Sequence, residues 1–231
     1  HLPTRDEMDA TVGRVLDSSP DTETALQGLN HAKLAFRLRV AVAELETRLS
    51  PRQVQQTLTD LAESLTAGCL RLSYREIRPR HGILPGAGIG LIGYGTLGAA
   101  ELGYSSDLDI IFLYDPDCGE SDGPRPLAPE RFHTVLARRM LGLLTATTAS
   151  GRLYEVDTRL RPNGRSGLLV SSLESFERYQ LNEAWTWELQ ALTRGRPTAG
   201  DATIGATFID IRRKVLRQKR DPRVLREQVR E

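Results

Sequence analysis

Cysteine is scarce in this sequence, which argues against two classes of small protein. Cys69 and Cys118 are the only cysteines among 231 residues, and neither has a partner at the short spacing of a zinc-binding pair. A disulfide scaffold and a structural zinc site are therefore both unsupported. An excess of charge of one sign is also missing, since 31 Lys and Arg face 30 Asp and Glu. We expect neither nucleic acid nor an anionic membrane as a partner.

Long apolar runs are absent as well. The longest uncharged apolar run is far shorter than the roughly 20 residues that a membrane helix needs. The chain opens with Arg5, Asp6, Glu7 and Asp9, which are not typical of a secretory signal peptide. We therefore expect a soluble, cytoplasmic protein. The Arg- and Glu-rich end of the sequence has no helix cap, so we expect the chain to belong to a longer protein.

Apolar residues recur every three or four positions in the first third of the chain, as on one side of an amphipathic helix. Two such sets are Leu34, Leu38, Ala41, Leu45 and Leu49, and then Val54, Leu58, Leu61, Leu65, Cys69 and Leu72. Between them, Ser50 can cap a helix, Pro51 suits its first turn, and Gln53 can reach back to the cap. The pattern predicts an antiparallel helical hairpin, which ends at a Gly- and Pro-rich break over residues 79–90.

Short strands mixed with helices follow this break. The apolar patterns predict strands at residues 89–94, 108–114 and 154–161. Helices are predicted from Pro129, from a capping box at residues 171–174, and through Ile204, Phe208, Ile211 and Val215. We therefore predict an α+β chain with a small mixed sheet. Its three parts are a helical segment at residues 1–78, a catalytic domain at residues 79–200, and the start of a C-terminal helical region at residues 201–231.

Gly93, Gly95 and Gly98, at the end of the first predicted strand and just after it, fit the G-x-G-x-x-G pattern of a dinucleotide-binding turn. Asp115 lies about where a ribose-binding acid would. That fold needs a helix of about three turns between the glycines and the next strand. Asp107, at the start of the next strand, follows Gly95 by only twelve residues. The connection is too short for such a helix. The glycine turn, residues 93–98, therefore predicts a phosphate contact rather than an NAD site.

Two carboxylates lie one residue apart where the second predicted strand begins. Side chains alternate along a strand, so Asp107 and Asp109 share a face opposite Leu108. Like charges this close repel unless a cation lies between them, and Mg²⁺ prefers such oxygen ligands together with substrate phosphates. The simpler alternative is that Asp107 caps the strand and Asp109 is solvated at a sheet edge.

A third carboxylate, Asp157, lies in the predicted strand at residues 154–161. Strand alternation places Asp157 on one face with Glu155, Arg159 and Arg161. Asp157 could complete a two-metal site, while the two arginines supply positive charge to phosphates. The alternative is that Asp157 only neutralises its arginine neighbours in a solvated strand.

Three longer segments are distinctive, and they read GYGTLGAAELGYSSDLDIIFLYD, ASGRLYEVDTRLRPNGRSGLLVSS and YQLNEAWTWELQAL. In this order they resemble the nucleotidyltransferase superfamily and, more closely, the adding domain of the glutamine synthetase adenylyltransferase family. The resemblance implies a polymerase-β-like nucleotidyltransferase fold flanked by helices. It also implies transfer of AMP from ATP to a tyrosine of glutamine synthetase, with a PII-type signalling protein as a partner of the full-length enzyme.

The same resemblance implies roles for individual residues. Those for catalysis and for binding two Mg²⁺ ions are Asp107, Asp109 and Asp157. Those for binding ATP are Gly93, Gly95, Ser106, Arg159 and Arg161. The sequence departs from the family pattern G-Y-G-K-L-G-G at Thr96 and Ala99, which removes a lysine that could contact phosphate. Leu189 stands where the family has a histidine, so no role is transferred to that position.

Two other functions stay open. The removing domain of the same family releases AMP from glutamine synthetase by phosphorolysis, and a degenerate domain would only dock partners. The three acids argue against a docking module, which has no reason to keep mutually repelling carboxylates. Trp185 and Trp187 are interpreted as core side chains rather than as a platform for a nucleobase. Arg194 and Arg196 are interpreted as solvated surface.

Overall fold

The computed structural model describes residues 2–219 except Thr47, Ala87 and Cys118. Within these residues the protein is α+β, as predicted, with eight α-helices and a five-stranded mixed sheet. The predicted helical end beyond residue 219 lies outside the described residues. Cys69 is buried, and burial raises the pKa of its thiol to about 12, which suits an unreactive core side chain.

Three helices form the N-terminal part: α1 (Arg5–Ser18), α2 (Thr22–Leu45) and α3 (Pro51–His81). The predicted capping box is confirmed, because the Ser50 hydroxyl accepts from the Gln53 N–H and the Gln53 side chain accepts from the Ser50 N–H. α2 packs against α3 as predicted, and α1, which the periodicity analysis did not identify, packs against both. α3 continues through Pro79 to His81, so the predicted break, which begins at residue 79, starts three residues too early.

The leucine stripe that marked α2 as amphipathic is not its buried face. Leu34, Leu38 and Leu45 are exposed by 49%, 65% and 84%. The residues that α2 buries are instead Ala25, Leu26, Leu29, Asn30, Ala32, Lys33, Phe36, Val40 and Ala43. The helix was predicted correctly, but leucine content indicated the wrong side, because alanines and two hydrogen-bonded polar residues form much of the interior face.

Five strands form the sheet: β1 (Ile89–Gly93), β2 (Leu108–Tyr114), β3 (Val156–Asp157), β4 (Val170–Ser172) and β5 (Arg196–Gly200). Their order is β3-β2-β1-β5, with β4 paired to the other half of β2. β1 is antiparallel to β2 and β5, whereas β2 is parallel to β3 and β4. The first two predicted strands are confirmed to within a residue. The third is confirmed only at Val156 and Asp157, because Tyr154 and Glu155 precede the strand and a turn replaces it after Asp157.

Both faces of the sheet are covered, because alternation along β2 sends neighbouring residues to opposite sides. Ile110 and Phe112 lie in one core, which continues into α1, α2 and α3. Ile111 and Leu113 lie in a second core on the other face of the sheet. The predicted boundary at residue 79 does not separate two hydrophobic cores, since the first core crosses it. The division into three parts stays a prediction.

The remaining helices are α4 (Gly95–Gly98), α5 (Pro129–Thr145), α6 (Leu173–Asn182), α7 (Thr186–Leu192) and α8 (Ala202–Arg217). The start of α5 at Pro129 and the position of α8 agree with the sequence prediction. The cap of α6 is Ser172 rather than Ser171, with its hydroxyl accepting from the Ser175 N–H. Among the described residues, no helix has the length and apolar character needed to cross a membrane.

Candidate active site

The predicted acids meet at one end of the sheet, where β2 and β3 begin to pair. These strands are parallel, and their register places Asp109 opposite Asp157. Asp109 and Asp157 are partly buried, whereas Asp107, just before β2, is exposed. Leu108 is fully buried between the two acids of the D-x-D motif, as strand alternation predicts. The fold therefore brings together three carboxylates from two separate parts of the chain.

Repulsion among these carboxylates acts on Asp109. Partial burial raises the pKa of Asp109 above its ordinary value, and the charges of Asp157 and Asp107 raise it further. The guanidinium of Arg159 offsets part of this effect. A carboxylate in such surroundings is stabilised by any additional cation that binds beside it.

Asp157 has the opposite environment, because Arg159 is bonded to it. The Arg159 backbone N–H donates to one carboxylate oxygen at 2.8 Å, and Nε donates to the other at 2.6 Å. These bonds lower the pKa of Asp157. They also close a turn directly after β3, which explains why the strand ends here. The prediction that Asp157 and Arg159 share a strand face is therefore wrong, although the two side chains do form an ion pair.

The glycine turn, residues 93–98, lies directly against Asp109. Gly95 has φ of +53°, and a Cβ at this position would overlap Oδ2 of Asp109. The Tyr94 N–H donates to the backbone carbonyl of Asp109 at 2.8 Å. Glycine is favoured at position 95 both by the backbone conformation and by the carboxylate beside it. A Cβ on Gly93 would lie 2.6 Å from Cγ2 of Thr198, so this glycine permits close packing against β5.

Two residues predicted to bind phosphate form hydrogen bonds within their own loops. The Ser106 hydroxyl accepts from the Gly103 N–H at 2.9 Å and so closes the turn before the D-x-D motif. Arg161 Nη1 donates to the carbonyl and the hydroxyl of Thr158, both at 2.8 Å. Both residues therefore shape the loops around the acids, and a contact with phosphate stays a prediction.

An open polar cavity of about 450 Å³ adjoins two of the three acids, Asp107 and Asp157. It is lined by Asp107, Glu155, Val156, Asp157, Thr158, Arg159, Arg161 and Arg165. Arg165 was not predicted at this site, although its place in the run RLRPNGR, close behind Asp157, is a signal that could have identified it. Carboxylates and guanidinium groups in one cavity can bind a phosphate-bearing ligand, the former through a cation and the latter directly.

The donor atoms suit Mg²⁺ in kind, since they are carboxylate oxygens. Asp109 and Asp157 face each other across the strand pair, and a divalent cation would relieve the repulsion at Asp109. They are not preassembled with a third ligand: within the described ranges, no group of three or more His, Cys, Asp or Glu is placed to hold a metal ion. Arg159 is exposed, so it can release Asp157 without disrupting the core. Asp107, Asp109 and Asp157 are the residues that could hold a metal here.

Two interpretations of the sequence are wrong in the C-terminal part of the described chain. Trp185 and Trp187, expected in the core, are exposed by 53% and 54%, because α7 buries Glu188, Leu189 and Leu192 instead. Arg196, expected as solvated surface, donates to the backbone carbonyls of Leu97 and Gly98 at 3.1 Å each. No sequence pattern indicated this role, because β5 is a polar strand that the apolar periodicity does not identify.

Comparison with known proteins agrees with the resemblance of the three segments. The family model described as glutamate-ammonia ligase adenylyltransferase matches residues 1–211. Relatives named bifunctional glutamine synthetase adenylyltransferase/adenylyl-removing enzyme include that of Xanthomonas campestris, 48% identical over 212 residues, which are 91% of this chain and 23% of the relative. The enzyme of Methylococcus capsulatus is 47% identical over 220 residues, with 91% and 23% covered. The chain thus spans about a quarter of the length of the curated relatives that it matches.

Proposed function

Since this chain belongs to the glutamate-ammonia ligase adenylyltransferase family, we propose that it transfers AMP from ATP to a tyrosine of glutamine synthetase. The tyrosyl oxygen attacks the α-phosphorus, and the bond to the leaving pyrophosphate breaks. A polymerase-β-like nucleotidyltransferase fold is part of this proposal, supported by the mixed sheet with helices on both faces. A cytoplasmic location and a PII-type partner of the full-length protein also belong to the proposal.

One observation carries the proposal more than any other. Asp109 lies opposite Asp157 in the register of β2 and β3, and the glycine turn packs against the same Asp109 carboxylate. A chain that kept this fold only for docking would gain from replacing the repelling carboxylates with neutral residues. Their retention beside a cavity that also contains arginines supports a site for a charged, phosphate-bearing substrate.

Each group in the cavity has a chemical task in this proposal. Mg²⁺, when bound by Asp107, Asp109 and Asp157, supplies positive charge for the triphosphate and lowers the pKa of the attacking tyrosine from its ordinary value near ~10. Asp157 is the candidate for a metal ligand or for the base that accepts the tyrosine proton; because the bonds from Arg159 lower the pKa of Asp157 and so weaken it as a base, Arg159 would have to release this carboxylate first. Arg159 and Arg165 border the cavity and can neutralise charge that develops on the phosphates.

The opposite reaction is the second candidate, because the relatives' names include an adenylyl-removing activity. In that reaction phosphate attacks the AMP–tyrosine bond and ADP leaves. The segments GYSSDLD and EAWTWELQAL resemble the adding domain, which favours transfer of AMP to the tyrosine.

The deciding experiment incubates the full chain with purified glutamine synthetase under both sets of conditions. ATP labelled at the α-phosphate, with Mg²⁺, should label the glutamine synthetase tyrosine. Phosphate added to adenylylated glutamine synthetase should release little ADP. The reverse pattern would assign the removing activity, and no reaction in either direction would leave the docking alternative.

A further inference from the structure

The glycine turn is held in place by an arginine from a distant part of the sequence. Arg196, in β5, donates from Nε to the carbonyl of Gly98 and from Nη2 to the carbonyl of Leu97. A planar guanidinium can form both bonds in one fixed orientation, which the single ammonium group of lysine cannot reproduce. Arg196 therefore fixes the end of the turn at residues 97–98.

A buried carboxylate fixes Arg196 in turn. Glu63, in α3, is only 8% exposed, and its Oε1 lies 2.6 Å from Nη2 of Arg196. This contact is a close ion pair rather than an aligned hydrogen bond. The other oxygen of Glu63 accepts from Nη1 of Arg5, in α1, at 2.7 Å. Because an unpaired charge is costly at a buried position, Glu63 ties α1, α3 and β5 together.

The N-terminal helices also contact the segment that leads from the glycine turn to Asp107. The Leu102 N–H donates to the Thr59 hydroxyl of α3 at 3.3 Å. Arg37 of α2 donates to the carbonyl of Tyr104 at 2.7 Å. The segment before the D-x-D motif is thus supported at two points by helices that contribute no acid to the site.

A continuous set of contacts leads from Glu63 to the acid cluster. Glu63 pairs with Arg196, Arg196 bonds the glycine turn, and Gly95 of that turn touches Asp109. We propose that Arg196, held by Glu63, is a positioning residue that sets the glycine turn against Asp109. The kinetic consequence rests on the proposed function, but the placement of the turn can be measured without any nucleotide.

The first measurement is amide hydrogen exchange of the full chain without nucleotide. In the glycine turn and just after it, the N–H groups of Gly98, Ala99 and Glu101 donate to backbone carbonyls within the turn. Arg196→Ala should accelerate their exchange by roughly tenfold to a hundredfold, the range expected for losing hydrogen bonds from a charged donor. Arg194→Ala is the matched control, since Arg194 is exposed and its side chain pairs only loosely with Glu101 at 3.6 Å.

The second measurement separates positioning from general stability. Below the melting transition, Arg196→Ala should lower kcat/KM for ATP by roughly tenfold to a hundredfold, while Arg194→Ala stays close to the parent. Arg196→Lys keeps the charge beside Glu63 but loses the forked bonds, so it should recover only part of the activity. Glu63→Gln should act in the same direction as Arg196→Ala, and the double variant should be no worse than the more damaging single variant.

The inference is overturned if turn exchange and kcat/KM in Arg196→Ala match those of Arg194→Ala, or if the effects of Glu63→Gln and Arg196→Ala simply add. Should Arg196→Ala fail to fold, the comparison of Arg196→Lys with the parent decides the same question, since unchanged exchange and kinetics would contradict the forked contact. If the parent transfers no AMP, the proposed function fails, whereas the exchange measurement still decides the role of Arg196.

Discussion

Replacing Gly95 by alanine tests the contact between the glycine turn and the acid cluster. Gly95 has φ of +53°, where an alanine costs about 1–2 kcal/mol. The added Cβ would also overlap Oδ2 of Asp109. That oxygen is the end of a short side chain, so we expect Asp109 to rotate away rather than the fold to open. The stability loss should stay near the backbone cost, while the carboxylate leaves its place opposite Asp157.

Two other glycines provide matched controls. Gly151 also has a positive φ, of +96°, but nothing lies within 4 Å of its Cβ position, so Gly151→Ala isolates the backbone cost. Gly142, inside α5, is equally open and has no positive φ, so Gly142→Ala should stabilise the helix by roughly 0.5–1 kcal/mol. We expect melting temperatures that fall by a few degrees for Gly95→Ala and Gly151→Ala and rise slightly for Gly142→Ala.

The rate of AMP transfer to glutamine synthetase should distinguish Gly95→Ala from Gly151→Ala, although the two variants are expected to have similar stability. Gly95→Ala should lose roughly a hundredfold or more in rate, since a displacement of about 1 Å at a reacting site has an effect of that size. Gly151→Ala and Gly142→Ala should keep the parental rate at a temperature where all are folded. If Gly95→Ala is as active as Gly151→Ala, the glycine turn does not control the position of Asp109.

Three further predictions concern pH and ligands. Burial lowers the pKa of His133 to about 4 from 6.5. The contribution of neutral His133 to the free energy of unfolding should therefore be fully present above pH 6.5 and fall by roughly 3 kcal/mol as the pH drops toward 4. His133→Phe keeps a ring beside Tyr114 and Phe132, and in urea titrations it should reduce the loss of stability between pH 6.5 and 4. An unchanged loss would show that His133 is not its cause. ATP should bind more weakly with EDTA than with Mg²⁺ in calorimetry, since the acids otherwise repel the triphosphate; equal affinities would count against a metal site. NADH should not compete with ATP, and submillimolar NADH affinity would revive a dinucleotide role for residues 93–98.

Features set by local sequence could be predicted, and those set by distant contacts could not. β2 was predictable because a continuous apolar run is buried on both faces, and the cap of α3 was predictable because its residues are neighbours in sequence. The prediction that the strand continues after Asp157 is wrong, because the backbone N–H and the side chain of Arg159 both donate to the Asp157 carboxylate and the chain turns there. The pairing of Glu63 with Arg196 joins residues far apart in sequence, and no periodicity reports it.

For the acid cluster, too, the local features were predictable and the long-range contacts were not. The spacing of Asp107 and Asp109 indicated a shared role, and the third acid was identified from its own segment. The register that sets Asp109 opposite Asp157 required the folded sheet, as did the contact of Gly95 with the carboxylate. The exposure of Trp185 and Trp187 depends on which side α7 packs, which their apolar character alone does not decide.

If the acids at the start of β2 serve catalysis rather than folding, a double variant of Asp107 and Asp109 should lose activity but keep its fold. Asp107→Asn with Asp109→Asn keeps the size of both side chains and removes the charges that would hold Mg²⁺; Asp210→Asn, at an exposed position in α8, is the control. We expect an unchanged or slightly higher melting temperature, because repulsion is removed, and a fall in AMP transfer of roughly a thousandfold or more. A rate within about tenfold of the parent, or a double variant that fails to fold, would contradict it.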